Sequence, residues 1–321
     1  MTQNTASNGL LSVSISPHIK GKKTTSGIMA DVLISLIPSA VAATVLFGTR
    51  VLLLILTGVL ACMASEFLFN KITKRENTLS DLSAAVTGLI LALNVPASLP
   101  IWQLVFGSVA AMCMVKGLFG GLGQNFANPA VTARILLFVS FPTAMTKVSE
   151  CLLSSSDLVS GATPLSTLSA GTATPSLADL FLGKHSTNAV GETCILAILA
   201  GFVYLLVRRV ISWHTPVCFV ATVYLLTLAV TQDPVQSLAY TFSGGLIFGA
   251  VFMATDYATT PTSYLGKAVF GIGCGLITFL IRVYGAYPEG ASLSILFMNI
   301  LTPYVERLCR RRPFGAGGVK K

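Results

Sequence analysis

Charge is scarce in this chain, and acid is scarcer than base. Only 10% of the 321 residues are charged, with 12 acids against 21 Lys and Arg. A soluble domain of this length would carry roughly a quarter charged residues on its surface. The deficit argues against a water-exposed exterior. Lipid is the alternative solvent, because a lipid-facing wall has no need of charge. The acids present, among them Asp31, Glu66, Asp81, Asp256 and Glu289, fall in expected loops or near the ends of apolar runs. A carboxylate at mid-span costs about 2.5–3.5 kcal/mol and usually marks an ion relay. No carboxylate relay through this chain alone is expected.

Metal-ligand spacing is missing too. The seven cysteines lie at 62, 113, 151, 194, 218, 274 and 309, the closest pair 24 apart, and His18, His185 and His214 are isolated. No iron–sulfur, haem or zinc pattern results, so redox chemistry would fall to an organic cofactor. The net charge of +9 comes without a basic face interleaved with aromatics, which speaks against nucleic acid. The glycines of Gly271-Ile272-Gly273-Cys274-Gly275 lie inside an apolar run, which argues against dinucleotide binding there.

Long apolar runs are what the chain has. Hydrophobic residues make up 53% of it, and mean hydropathy is +0.77. Ten segments suit spans of about 20 mostly apolar residues: 28–48, 51–69, 79–97, 103–121, 129–143, 194–210, 213–231, 240–256, 265–283 and 290–305. Ala40-Val41-Ala42 mimics a signal-peptide cleavage site, but another apolar run begins at Val51, so an uncleaved first span is expected. The expected fold class is all-α, a polytopic membrane helix bundle of about ten transmembrane helices.

Basic residues set its orientation. With the N-terminus inside, the cytoplasmic flanks take clusters such as Lys20, Lys22 and Lys23, Lys71, Lys74 and Arg75, Arg208 and Arg209, and Arg310, Arg311 and Arg312. Only Arg50, Lys147, Lys184 and Arg282, of 21 bases, fall outside. The expected division is a cytoplasmic N-terminal segment 1–27, a first membrane half 28–143, an extracytoplasmic loop 144–193, a second membrane half 194–305 and a basic cytoplasmic tail 306–321. A faint echo links the halves. Phe106-Gly107, Lys116 and Phe119-Gly120 resemble Phe270-Gly271, Arg282 and Tyr284-Gly285, and Gly88-Leu89-Ile90 resembles Gly245-Leu246-Ile247. Chance explains such short matches equally well; a true repeat would mean two five-helix halves around a central site.

Single polar residues have plain readings. Thr87, Ser108, Thr222, Ser243, Thr278 and Asn299 read as helix-packing contacts. Lys116 reads as snorkelling to headgroups, Asp256 as a cap or loop contact, Glu289 as a turn residue, and Asn125 and Asn128 as loop hydrogen-bonders.

Residues 144–193 are the one long hydrophilic stretch, rich in Ser, Thr, Gly and Ala. By composition it reads as a flexible connector. It also contains Asp157-Leu158-Val159-Ser160-Gly161-Ala162-Thr163, which matches D-x-x-[ST]-G-A-[ST] at every specified position. That motif, between the fifth and sixth expected spans, resembles the flavinylation site of the NqrB/RnfD family. The resemblance covers most of the chain. Gly120-Gly121-Leu122-Gly123-Gln124-Asn125 and Asn128-Pro129-Ala130 are similar to the family's GGLGxN…NPA loop. Met253-Ala254-Thr255-Asp256, Tyr287-Pro288-Glu289-Gly290 and Met298-Asn299 resemble further family segments. Ala189-Val190-Gly191-Glu192-Thr193-Cys194 departs from the family's GxIGE-T-S, with Cys194 in place of Ser.

The resemblance implies that a flavin transferase joins FMN through its phosphate to Thr163, with Asp157, Ser160, Gly161 and Ala162 as its recognition motif. It implies a second flavin, riboflavin, within the helices, at residues the sequence does not identify. It implies a subunit of an Rnf-type ferredoxin:NAD oxidoreductase in the bacterial inner membrane, relaying electrons coupled to Na⁺ or H⁺ movement. Partners would be the other subunits, the transferase and membrane lipid, with no nucleic acid. Two alternatives stay open: an NqrB-like subunit of a sodium-pumping quinone reductase, whose chains carry a longer N-terminal portion, and a channel-like transporter of a small solute.

Overall fold

The computed structural model describes residues 24–152, 163–169, 176–285 and 290–309. Apolar runs in lipid must close their backbone hydrogen bonds internally, so they coil into helices. α1 (Thr25–Phe47) opens on Thr24, whose hydroxyl accepts from Gly27 N at 3.1 Å. Gly48, at φ 85°, turns the chain directly into α2 (Thr49–Ile72). α3 (Ser83–Leu93) and α4 (Ile101–Ala110) follow, α4 running on as a π-helix over Ala111–Gly117. α5 (Pro129–Ser140) starts on Asn128, whose side chain accepts from Ala130 N at 3.0 Å, with Pro129 at its first position.

Three short helices lie in the long connection: α6 (Pro142–Met145), α7 (Pro164–Ser169) and α8 (Leu177–Leu182). The second half comprises α9 (Ile195–Val207), α10 (His214–Thr231), α11 (Pro234–Phe242) and α12 (Leu246–Phe248). α12 extends as a π-helix over Gly249–Met253, and α13 (Tyr264–Tyr284) and α14 (Ala291–Leu308) complete it. Among the described residues, extended pairing is confined to one bridge between Ser149 and Thr187.

All ten expected segments fall on helix. α1, α2, α10 and α13 are long and apolar enough to cross a bilayer. α11 and α12 with its extension pass only together, across a 64° bend, and α3, α5, α9 and the Ile101–Gly117 run are shorter apolar helices. Large side chains such as Val41, Val45, Leu53 and Leu60 stand more than half exposed on α1 and α2, as lipid-facing walls require. Two segments differ from straight spans. The stretch expected at 79–97 begins with a 3₁₀ turn, Leu79–Asp81, and breaks at Leu82, φ 59°. The one expected at 240–256 begins at Pro234 and breaks around Gly244, φ 68°.

The two halves share an order of contacts. α2 packs on α3 and α4, and α10 packs on α11 and α13; α1 meets α9, and α5 meets α14. Each half has a broken third helix. The Lys116–Arg282 echo corresponds to structure, because each cation sits at the break of its own half. The Gly-Leu-Ile echo does not. Gly88 lies inside α3, where a Cβ would collide with the backbone of Gly58 and Val59 of α2, whereas Gly245 heads α12.

Most of the isolated hydroxyls bond back within their own helix, and one pair joins two helices. Thr87, Ser108 and Thr222 donate to carbonyls four residues back, and the Thr278 and Ser294 hydroxyls meet between α13 and α14 at 2.7 Å. Asn299, only 2% exposed, has no partner for either side-chain atom among the described residues.

Candidate functional site

Asp157, Ser160, Gly161 and Ala162 lie outside the described residues; Thr163 lies within them. Pro164 favours a helix start through its fixed φ, and Thr163 is the residue before it. Thr163 N donates to Ser166 Oγ at 3.0 Å, and Ser166 N donates back to Thr163 Oγ1 at 3.3 Å. This is the reciprocal arrangement of a capping box. Leu165 and Leu168, both buried, pin the turn from below, and Leu168 packs with Leu180, Ile195 and Ala239. Thr163 itself is half-buried, and its hydroxyl bonds only to Ser166 among the described residues. A hydroxyl at the rim of an anchored turn, held by neutral partners, fits an ester-linked phosphate.

The helix breaks gather the buried charge. At the first, the Lys116 ammonium from the π-helix pairs with the Glu66 carboxylate of α2 and donates to Ser83 Oγ at 2.7 Å. Thr78 also donates to Glu66, at 2.7 Å, and Asn70 to Thr78 at 3.0 Å. Lys116 is 4% exposed, so it does not snorkel: a carboxylate in the neighbouring helix compensates its charge inside the bundle. Glu66 is correspondingly a buried acid in the last turns of α2, near the span end where its place in the 51–69 run puts it.

At the second break, Arg282 donates to Tyr240 O at 2.7 Å and Ser243 O at 3.0 Å, satisfying end carbonyls of α11. Glu192, in the 3₁₀ turn Val190–Glu192, fills the space beside Gly245, where a Cβ would overlap its carboxylate. Arg134 of α5 pairs with Glu192 at 2.9 Å and reaches Asn94 Oδ1 at 3.2 Å and Ser292 Oγ at 2.8 Å. Asn94 in turn donates to Ile90 O at 2.7 Å, closing the C-terminal turn of α3. The two clusters therefore occupy opposite ends of α3, about 16 Å apart at 1.5 Å per residue. A third pair, Asp31 with Arg208 at 3.1 Å, joins α1 to α9, with Tyr204 donating to Asp31 at 3.0 Å.

Sequence reasoning missed the Glu192–Arg134–Asn94 cluster. Its one local signal was the Gly191-Glu192 pair, a small residue placed to admit a backbone next to an acid. The departure at Cys194 is mild in structure, since its thiol lies 3.7 Å from Phe181 O and can still donate. Asn128 and Asp256 act as expected. Asn128 caps α5 and also donates to Met253 O at 3.2 Å, and the Asp256 carboxylate accepts from Thr259 at 3.3 Å. Glu289 lies outside the described residues.

A cavity of about 80 Å³ lies past the first break, lined by Ser83, Thr87, Lys116, Asn125, Asn128 and Asp256 among others. That is below the roughly 300–1,000 Å³ of small-molecule pockets. A groove of about 360 Å³ between the π-helix and α5 is apolar but for Thr132, whose hydroxyl already donates to Asn128 O. Neither fits riboflavin, which needs both room and polar contacts for its ring edge.

Two like-ordered halves of apolar helices, each with a broken third helix closed by buried cations, define a polytopic helical membrane protein. Comparison with known proteins places it further. The model of the NQR2, RnfD, RnfE family matches residues 12–315, and the chain belongs to that family. It is 45% identical over 314 residues to the RnfD-type subunit of the Na⁺-translocating ferredoxin:NAD⁺ oxidoreductase complex of Acetobacterium woodii, covering 97% of each chain. It is 36% identical to the corresponding subunit of the proton-translocating ferredoxin:NAD⁺ oxidoreductase complex of Clostridium ljungdahlii, covering 98% of this chain and 99% of that one. The corresponding subunit of the ion-translocating oxidoreductase complex of Escherichia coli is 33% identical, over 94% of this chain and 98% of its own.

Proposed function

We propose that this chain is the RnfD subunit of an Rnf-type ion-translocating ferredoxin:NAD⁺ oxidoreductase complex, relaying electrons through FMN esterified to Thr163. The observation that carries the assignment is the 45% identity, spanning 97% of both chains, with a subunit of such a complex. The motif ending at Thr163 and the capping-box geometry of its hydroxyl support the flavin site. FMN bound there would supply one- and two-electron redox chemistry at the periphery of the bundle. The chain's own part is to hold the anchor in place, with Leu165 and Leu168 buried beneath the turn that carries it. Electrons come from and pass to other subunits, and Na⁺ or H⁺ moves elsewhere in the complex; the two relatives' names differ on the ion.

The basic-residue pattern supports ten crossings in the bacterial inner membrane, both termini cytoplasmic and residues 144–193 outside. A reporter fused after Lys321 that is active only on the outer face would overturn that orientation.

Denaturing electrophoresis under ultraviolet light tests the flavin assignment, using protein co-expressed with a flavin transferase. The native chain should give a fluorescent band, Thr163→Ala none, and Thr163→Ser a weaker one. Covalent FMN mass on the Thr163→Ala protein would move the site to another hydroxyl.

A further inference from the structure

The Thr163–Ser166 pair holds more than a helix start. Ser166 Oγ donates its proton to Thr163 O at 2.8 Å and accepts from Thr163 N at 3.0 Å. It also lies 3.2 Å from Thr163 Oγ1, positioned to accept the threonine's hydroxyl proton. Thr163 Oγ1 receives Ser166 N at 3.3 Å on one lone pair. The two bonds at Oγ1 fix one rotamer of Thr163 and, among the described residues, leave the second lone pair of Oγ1 unengaged. The other hydroxyls of the turn are differently placed. Ser166 spends its proton on a backbone carbonyl, and Thr167 donates to Pro164 O at 2.9 Å.

We propose that Ser166 is a positioning residue for flavin attachment, fixing the Thr163 hydroxyl as the nucleophile of this turn. The inference rests on the assignment of FMN to Thr163. In the transfer, Thr163 Oγ1 bonds to the FMN-side phosphorus of FAD as the pyrophosphate P–O bond breaks. AMP leaves with that electron pair, and the hydroxyl proton passes to a general base of the transferase. No electrons are exchanged with the flavin ring. Ser166 contributes orientation: without its hydroxyl Thr163 Oγ1 keeps only the long 3.3 Å bond from the backbone N–H of residue 166, and Thr163 samples its other rotamers more often.

The test is a time course of FMN mass on the Thr163 peptide, using the full-length chain in membranes with FAD and purified flavin transferase. Ser166→Ala should slow incorporation about tenfold or more, in keeping with the cost of a misplaced reacting group. Ser166→Thr, which restores the hydroxyl, should return the rate to within about threefold of native. A native rate in Ser166→Ala overturns the proposal, as does a Ser166→Thr rate no better than that of Ser166→Ala. A native chain that gains no flavin mass at Thr163 overturns the Thr163 assignment itself, a separate and recognisable outcome.

Discussion

At Leu82 the broken third helix of the first half is held by an ion pair contributed from two other elements, Glu66 of α2 and Lys116 of the π-helix. At Gly244 the second half relies on guanidinium-to-carbonyl bonds from Arg282, with the Glu192–Arg134 pair alongside. The first break places a leucine in the left-handed region, a conformation that costs an L-residue about 1–2 kcal/mol. The second uses glycine and avoids that cost. Both breaks are thus closed by charge from outside, but only the first also carries a residue ill suited to its own backbone. Glycine makes the second break easy in φ, yet Gly245 is then committed sterically, since the Glu192 carboxylate fills the place of its missing side chain.

The largest expected effect sharpens this contrast. Lys116→Met should destabilise the detergent-solubilised protein by about 3–5 kcal/mol, because it strands the Glu66 carboxylate in the interior. Adding Glu66→Leu should recover most of the loss, as the apolar pair removes the orphan charge. Equal melting temperatures for the single and double variants would show that the pair itself, and not the stranded acid, holds the first break.

Acid should separate the two regions next. His185, in the connection leading to Glu192, is 7% exposed, and burial pushes its imidazole from 6.5 down to about 4. The opened segment therefore takes up a proton in a range where the native one stays neutral. Stability is intact above about pH 6.5 and falls as pH drops toward 4, by about 3 kcal/mol in all. Hydrogen exchange over residues 177–194 should accelerate across that window while the amides of α3 at the first break keep their protection. Uniform loss of protection in both would break the distinction.

The smallest effect concerns Gly245→Ala, expected to cost about 1–3 kcal/mol through overpacking against Glu192. Pairing it with Glu192→Ala, which empties the space, should give less than the sum of the two single losses. Strict additivity in thermal melts would remove the steric coupling from the second break.

Much of the fold was legible because lipid makes long apolar runs and helices nearly synonymous, so all ten segments were placed from composition. The breaks were not. Gly244-Gly245 carried a signal that an unbroken span of 240–256 ignored, whereas Leu82 has neither glycine nor proline to announce a break. Lys116 read as snorkelling because a single cation near a span end looks the same whether it reaches headgroups or a partner 50 residues away. Glu192 escaped for the same reason, its partner Arg134 lying in a distant helix. The Thr163 motif could be read in the sequence because it is local, and the flavin chemistry proposed for it rests on a single hydroxyl.

The Asp31–Arg208 pair sets a schedule for biosynthesis. Its partners are 177 residues apart, which at about 5–20 residues per second leaves Asp31 waiting roughly 9–35 s for its counter-ion. During that interval α1 carries a carboxylate with no arginine to meet it, and lipid alone is a poor host for it. The newborn first helix is best kept beside the insertion machinery or near the watery interface until α9 arrives.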